Sequence, residues 1–477
     1  MSYSSEDYFL SNEFKSLLSK FEANEGGCVY GMLDPDELMD VAEYYYNGRN
    51  RQLAEEIIDN TLLIYPGSAP PLLFKARMAL LDDNNVTEAE RLTEMIEDKT
   101  DLEYFYMKAE IMLAQGNIAL ADKYLEERFG DISDDDRDYF AVDAAALFLD
   151  YDSVDLAEKW IDRSEDTDCT EYKEQAARIF VERGEYEKSK TLFNELIDKD
   201  PFSVHYWNSL ASTQFFNNNI EDSIQSSEYS IAINPDNAAA LLNKANGLYN
   251  LGNFREALNY YKRYNKQCPR DENGEMLIGF CHMLLDEYED AITHFKKAET
   301  LLPPDSSVLV DIYKDWAFAL CRLGRIKESL AILDKTGKLD CDHNEIMVYR
   351  GNLLAGSGFS EKAKVCFLHA LRESGYSPTV FMKIAITIFE IGDYKLAYRM
   401  LRLLYTKYPG WDGGQSQYAA CCYDLGYVDE FLVYLKIAAE KEPSELKVVL
   451  GRLFPEDMKP QDYYQYMVEK IKRQDIR

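Results

Sequence analysis

Residues 237–271 read NAAALLNKANGLYNLGNFREALNYYKRYNKQCPRD, and residues 271–305 read DENGEMLIGFCHMLLDEYEDAITHFKKAETLLPPD. Laid one over the other at an offset of 34, they superpose Ala245 on Gly279, Ala257 on Ala291, Tyr261 on Phe295 and Pro269 on Pro303. The same spacing reaches back through Pro235 to Pro201 and recurs at Pro409 and Pro443. A fixed interval of this length is the mark of a supersecondary unit repeated along the chain.

Working outward, the eighth position of each copy is small throughout: Ala42, Ala76, Ala109, Ala145, Ala177, Ala211, Ala245, Gly279, Ala317, Gly351, Ala385 and Ala419. Twelve residues later come Ala54, Ala121, Ala157, Ser189, Ser223, Ala257, Ala291, Ser329, Ala363 and Ala397, with Ala89 one place late and Phe431 departing from the rule. Two helices joined by a short turn approach closely only where side chains are small, so the two positions mark a hairpin crossing. Gly116, Gly184, Gly252, Gly324, Gly358, Gly392 and Gly426 fall at position fifteen, where the first helix has to end in a left-handed residue. Aromatics at position seventeen and large apolar residues at twenty-four give the second helix its buried stripe, and the closing Pro stops it.

These features resemble the tetratricopeptide repeat, whose pattern is small at eight, Gly near fifteen, Ala at twenty, aromatic at twenty-four and Pro at thirty-two. The resemblance implies an all-α fold, a right-handed superhelical α-solenoid of antiparallel helix pairs. About twelve copies are expected over 35–445, bounded at 35–68, 69–101, 102–135, 138–169, 170–203, 204–237, 238–271, 272–305, 310–343, 344–377, 378–411 and 412–445. Residues 1–34 are expected to hold an N-terminal cap helix over 5–22, ended by Gly26-Gly27, with a linker, and residues 446–477 to hold cap helices broken near Pro455 and Pro460. Cys341 and Gly375 stand where Pro is expected, and four extra residues precede the ninth copy.

The resemblance further implies that first helices line a groove and that positions two, five, nine, twelve and thirteen meet a protein or peptide partner. On that reading the candidate surface is Phe215, Phe216, Leu242, Tyr249, Met276, Phe280, Met283, Phe318, Met382, Phe389 and Tyr423. Asn208, Asn246 and Asn352 are its handles for a peptide backbone, and Lys314 and Arg322 its cations for an acidic group. The same aromatics equally suit packing between neighbouring first helices. The residues of the family's chaperone-tail clamp do not align over three consecutive copies. The implied work is that of an interaction scaffold binding a partly apolar segment; the alternative is a regulatory or substrate-recruiting subunit of an enzyme encoded elsewhere.

Composition agrees with a folded, repetitive chain of 477 residues, 46% hydrophobic and 13% aromatic. Net charge is −33, and residues 1–200 carry 48 acidic against 20 basic side chains. Such a balance argues against nucleic acid and membrane surfaces as partners. It leaves the acidic front either a solvated face or a dock for a basic partner. The start MSYSSEDYFLSNEFKSLL lacks a secretory pattern and the nine Cys are scattered, so a cytoplasmic protein is expected. A homo-oligomer is possible but nothing in the pattern indicates one.

No catalytic constellation, cofactor site or metal site is expected. Five His show no HExxH spacing and no CxxC occurs. Cys281-His282 and Cys341-Asp342-His343 read as structural, Gly356-Ser357-Gly358 as a turn, and Asp134-Asp135-Asp136 as a solvated helix start.

Overall fold

The structure, a computed structural model, describes residues 8–9, 11–23, 29–48, 50–455 and 457–472. Gly26-Gly27, expected to end the first helix, lie outside them, as do residues 5–7 and Leu10. Among the described residues the fold is all-α, with no strand and no helix long and apolar enough to cross a membrane. Contacts divide the chain into two bodies, residues 1–267 and 268–477.

In the first body, α1 (Asn12–Glu22) is followed by seven helix pairs. They are α2 and α3 (Pro35–Asn47, Arg51–Ile64), α4 and α5 (Ala69–Leu81, Val86–Glu94), α6 and α7 (Leu102–Ala114, Ile118–Phe129), and α8 and α9 (Arg137–Asp150, Val154–Ile161). Then come α10 and α11 (Thr170–Glu182, Tyr186–Lys199), α12 and α13 (Val204–Phe216, Ile220–Ile233), and α14 and α15 (Ala238–Asn250, Phe254–Gln267). The second body pairs α16 with α17 (Glu272–Leu284, Tyr288–Leu301), α18 with α19 (Val308–Arg322, Ile326–Asp334) and α20 with α21 (His343–Gly356, Ser360–Glu373). It continues with α22 and α23 (Pro378–Glu390, Tyr394–Lys407) and α24 and α25 (Gln415–Asp424, Val428–Lys441), and ends in α26 (Pro443–Leu450) and α27 (Tyr463–Lys472).

Each pair closes on its small residues. Every residue of the position-eight set is buried, and so is every residue of the position-twenty set, including Phe431. Where Ser replaces Ala at the crossing, its hydroxyl is used: Ser223 Oγ donates to the Ala211 carbonyl and Ser329 Oγ to the Ala317 carbonyl, each at 2.7 Å and buried. A polar atom at a tight crossing is thereby satisfied by the facing helix. The crossings with Gly in place of Ala carry a ring opposite: a Cβ at Gly279 would stand 2.6 Å from Phe295, and Gly351 faces Phe367 in the same way.

The turns are left-handed where Gly marks them, as at Gly252 (φ +79°), and also where Gly is missing. Asn84, Asp152, Asn218 and Asp286 take φ between 48° and 61°, the residue types that best tolerate this region after Gly. Second helices are short in α5, α9 and α19. After α19 a single 3-10 turn, Lys335–Lys338, replaces the helix end and the missing Pro. Aromatic packing fills the wider gaps, as where Phe129, Phe140 and Trp160 meet at 5.6 to 5.9 Å between ring centroids.

Candidate functional site

In the first body, three successive first helices, α10, α12 and α14, leave a concave cavity of about 280 Å³. It is lined by Arg178, Val181 and Glu182 of α10, by Asn208, Ser209, Ser212 and Thr213 of α12, and by Ala239, Leu242 and Asn243 of α14, with the buried Phe193 of α11. Seven of these fall at positions two, five, nine, twelve or thirteen of their copies: Arg178, Val181, Glu182, Asn208, Ser212, Ala239 and Leu242. First helices in register repeat the same side-chain face every 34 residues, so neighbouring copies contribute to one concavity.

Polar order within it comes from the neighbouring copy. Asn208 Nδ2 donates to Asn237 Oδ1 at 2.9 Å, and Asn237 Oδ1 also accepts the Ala240 N–H that starts α14. Asn243 Nδ2 donates to Ser212 Oγ at 3.1 Å and to the Asn208 carbonyl at 3.3 Å. The remaining acceptor of the amide, Asn208 Oδ1, is buried with no hydrogen-bond partner among the described residues. A buried acceptor of that kind costs free energy until a donor reaches it. Arg178 at the rim bonds Asp150 at 2.6 Å and Gln175 at 2.8 Å. Sequence reading picked out Asn208 and Leu242 here and passed over Arg178, Val181, Glu182, Ser212 and Asn243; the repeat register extended one copy upstream points to the first three, and position nine of the copy that holds Asn208 points to Ser212.

Of the other candidates of the first body, Tyr249 and Asn246 pack within their own hairpin, while Phe216 reaches the preceding one. Tyr249 meets Phe254 at 5.4 Å, and Asn246 Oδ1 accepts the Tyr261 hydroxyl at 2.7 Å. Phe215 lies edge-on to Phe216, which is 60% exposed and stacks with Tyr186 at 6.4 Å.

In the second body Phe280 packs edge-on against Phe295, and Phe389 and Tyr423 lie tilted against Tyr394 and Phe431. Met276 and Met283 are half-buried beside the same core as Phe280. Phe318 is 37% exposed and Asn352 half-buried. Met382 has to be taken out of the surface set: at 6% exposure its sulfur fills the space that a Cβ on Gly414 would need. The two expected cations are already engaged. Lys314 Nζ lies 3.4 Å from both Asp311 and Glu345, and Arg322 Nε donates to the Tyr288 hydroxyl at 3.1 Å.

The His and Cys groupings serve the fold locally. His282 Nδ1 shares a 2.7 Å hydrogen bond with Glu287 and its ring stacks on His294 at 5.4 Å; His294 in turn bonds Glu275 at 2.6 Å. Burial pushes the His294 imidazole below its usual pKa, with Glu275 opposing. His282, Glu287 and Asp290 bring ligand atoms within 4.8 Å of one another, a grouping the spacing rules did not single out because it forms across a turn. Asp342 of the Cys341-Asp342-His343 run caps α20, accepting the Asn344 N–H at 2.9 Å. Ser357, between its two glycines, donates to the Leu353 carbonyl at 2.7 Å in the α20 to α21 turn. Asp134 pairs with Arg137 at 2.7 Å at the start of α8.

Residues 175–238 and 242–306 match the tetratricopeptide repeat model. No curated protein matches the chain. Among solved structures it is similar to MamA 41-end from Desulfovibrio magneticus RS-1, at 15% identity over 36% of this chain and 94% of that one, with a TM-score of 0.34. It is also similar to YrrB, a TPR protein with an unusual peptide-binding site, at 16% identity over 38% and 91%, with a TM-score of 0.33. The matched segments run through α10 to α17, where narrow crossings and left-handed turns recur at 34-residue intervals, and the chain that carries them is a tetratricopeptide-repeat-like protein.

Proposed function

We propose that the chain is a protein-interaction scaffold and that the face shared by α10, α12 and α14 receives an extended partner segment. The observation that carries this reading is the cavity on positions two, five, nine, twelve and thirteen of three successive copies, lined by Asn208, whose Oδ1 is buried and has no hydrogen-bond partner among the described residues. A peptide N–H reaching that oxygen would satisfy an acceptor the folded chain leaves alone. Leu242 and Val181 offer an apolar side chain its contact, and Glu182 with Arg178 sets the polar rim. The reading takes residues 35–445 as twelve copies, with α1 and 446–477 as caps that close the ends against solvent.

Selection from a displayed random-peptide library on the purified chain tests it. Enriched peptides should lose binding, by about tenfold or more, to Asn208→Ala and to Leu242→Glu, with helical content unchanged. Peptides that bind those variants as tightly as the parent chain would place recognition elsewhere.

A further inference from the structure

Helix α23, Tyr394–Lys407, reads YKLAYRMLRLLYTK: four basic residues and no acidic one, in a chain of net charge −33. Its inward face is Ala397, Tyr398, Leu401, Leu404 and Tyr405, all buried. The outward face, at helical spacing, is Lys395, Leu396, Arg399, Arg402, Leu403 and Lys407, all exposed, with Leu403 at 57%. The neighbouring α25, tied to it by the Tyr398 hydroxyl donating to Glu430 at 2.9 Å, adds Val433 at 55% exposure and Lys436.

None of the four cations of α23 forms an ion pair among the described residues. Arg402 and Lys407 lie over the rings of Tyr398 and Tyr408, at 5.9 and 5.7 Å. Elsewhere the abundant carboxylates take up such groups. Lys159 meets Asp122 at 2.7 Å and Glu126 at 2.8 Å, and Arg183 meets Asp155 at 2.5 Å and Glu158 at 2.6 Å. A cationic, partly apolar face whose cations form no ion pair among the described residues fits an acidic surface that also offers apolar contact.

The chain itself carries one. In the first body the turns that lead from α5, α7 and α9 into the next first helix hold, over 97–101, 131–136 and 162–168, eleven carboxylates against Lys99 and Arg163; Asp131, Asp134 and Asp168 among them pair with the flanking Arg128, Arg137 and Lys173. All three join the end of a second helix to the start of a first helix, so the hairpin topology places them along one edge. Met95 and Tyr139, exposed beside them, supply the apolar counterpart that a phosphate backbone lacks.

We infer that the outer face of α23 docks on this acidic edge of a second copy of the chain. The contact is heterologous, each copy offering a different patch. Mutual repulsion of two acidic chains keeps it weak, and salt screens it.

Sedimentation velocity of the full chain tests the inference. At about 50 mM salt the mass should rise with concentration above the 55.1 kDa of one chain, and at about 500 mM it should return to it. Arg399→Glu with Arg402→Glu should weaken association by about tenfold or more, whereas Lys262→Glu with Lys266→Glu, the same charge change at exposed sites on α15, should leave it intact. Asp134→Lys with Asp135→Lys should also weaken it, and mixing these chains with the Arg399/Arg402 variant should restore a complex. A monomer at low salt, an unchanged mass in both reversal variants, or a mixture that stays monomeric overturns the inference. So does binding to phosphatidylserine vesicles that the Arg399/Arg402 variant loses while the parent chain stays monomeric; that outcome assigns the face to lipid.

Discussion

Gly279 on α16 stands against Phe295 on α17, and a methyl group there would come within 2.6 Å of Cε1 and 2.8 Å of Cδ1 of the ring. The ring has little room to retreat, because Phe295 is 0% exposed and packs edge-on against Phe280 at 5.6 Å. Gly279→Ala gains about 1 kcal/mol of helix propensity and loses about 1 to 3 kcal/mol to overpacking. The net should be a destabilisation of about 1 kcal/mol in the second body. Phe295→Leu removes the offending edge, so in that background the same alanine should stabilise by up to about 1 kcal/mol. The coupling between the two changes is then about 2 kcal/mol, well above the ~0.5 kcal/mol scatter of independent sites. Urea unfolding of the parent, the two single variants and the double variant, followed by circular dichroism, measures it. Because repeat arrays can unfold in more than one step, the midpoint of the same transition has to be compared across all four. A neutral or stabilising Gly279→Ala in the parent chain, or additive singles, would refute the reasoning about close approach at the crossing.

Two further outcomes are expected. Burial, with Asp311 nearby, pushes the Asp315 carboxyl up to about 6, so its ionisation opposes folding. Its stabilising, protonated form is fully present below the unfolded value near 4 and is lost as pH rises through 6. Asp315→Asn should therefore raise stability at pH 7 by about 1 to 3 kcal/mol relative to pH 4, read as a pH-dependent gap between urea midpoints; a gap independent of pH counts against it. Ser223→Ala removes the buried bond to the Ala211 carbonyl and should cost about 0.5 to 1 kcal/mol even after the gain in helix propensity. An unchanged midpoint would show that the hydroxyl contributes nothing at that crossing.

The candidate surface was readable in the chain only in part. Register put Asn208 and Leu242 at position five of successive copies, the resemblance alone implied that this position meets a partner, and the structure sets both beside one cavity. What each side chain touches was not readable in that way. Tyr249 turns to Phe254 and Tyr423 to Phe431, so aromatics that share a register position with open-groove residues are taken up by their own second helices. Met382 drops into the space above Gly414, a residue 32 positions away that no local pattern links to it. The ion pair of Lys314 with Glu345 likewise joins successive copies.

The order of the amino acids determined the helix pairs, their crossings and their turns, since each follows from contacts within about 34 residues and from the backbone freedom of Gly, Asn and Asp. Tertiary structure decided where a cavity opens, which rings stay exposed, and that α23 keeps its cations out of ion pairs among the described residues while Lys159 and Arg183 find carboxylates on other helices. The reason is physical: a hairpin's shape depends on its own small residues, whereas exposure and charge pairing depend on side chains that only packing between hairpins brings near.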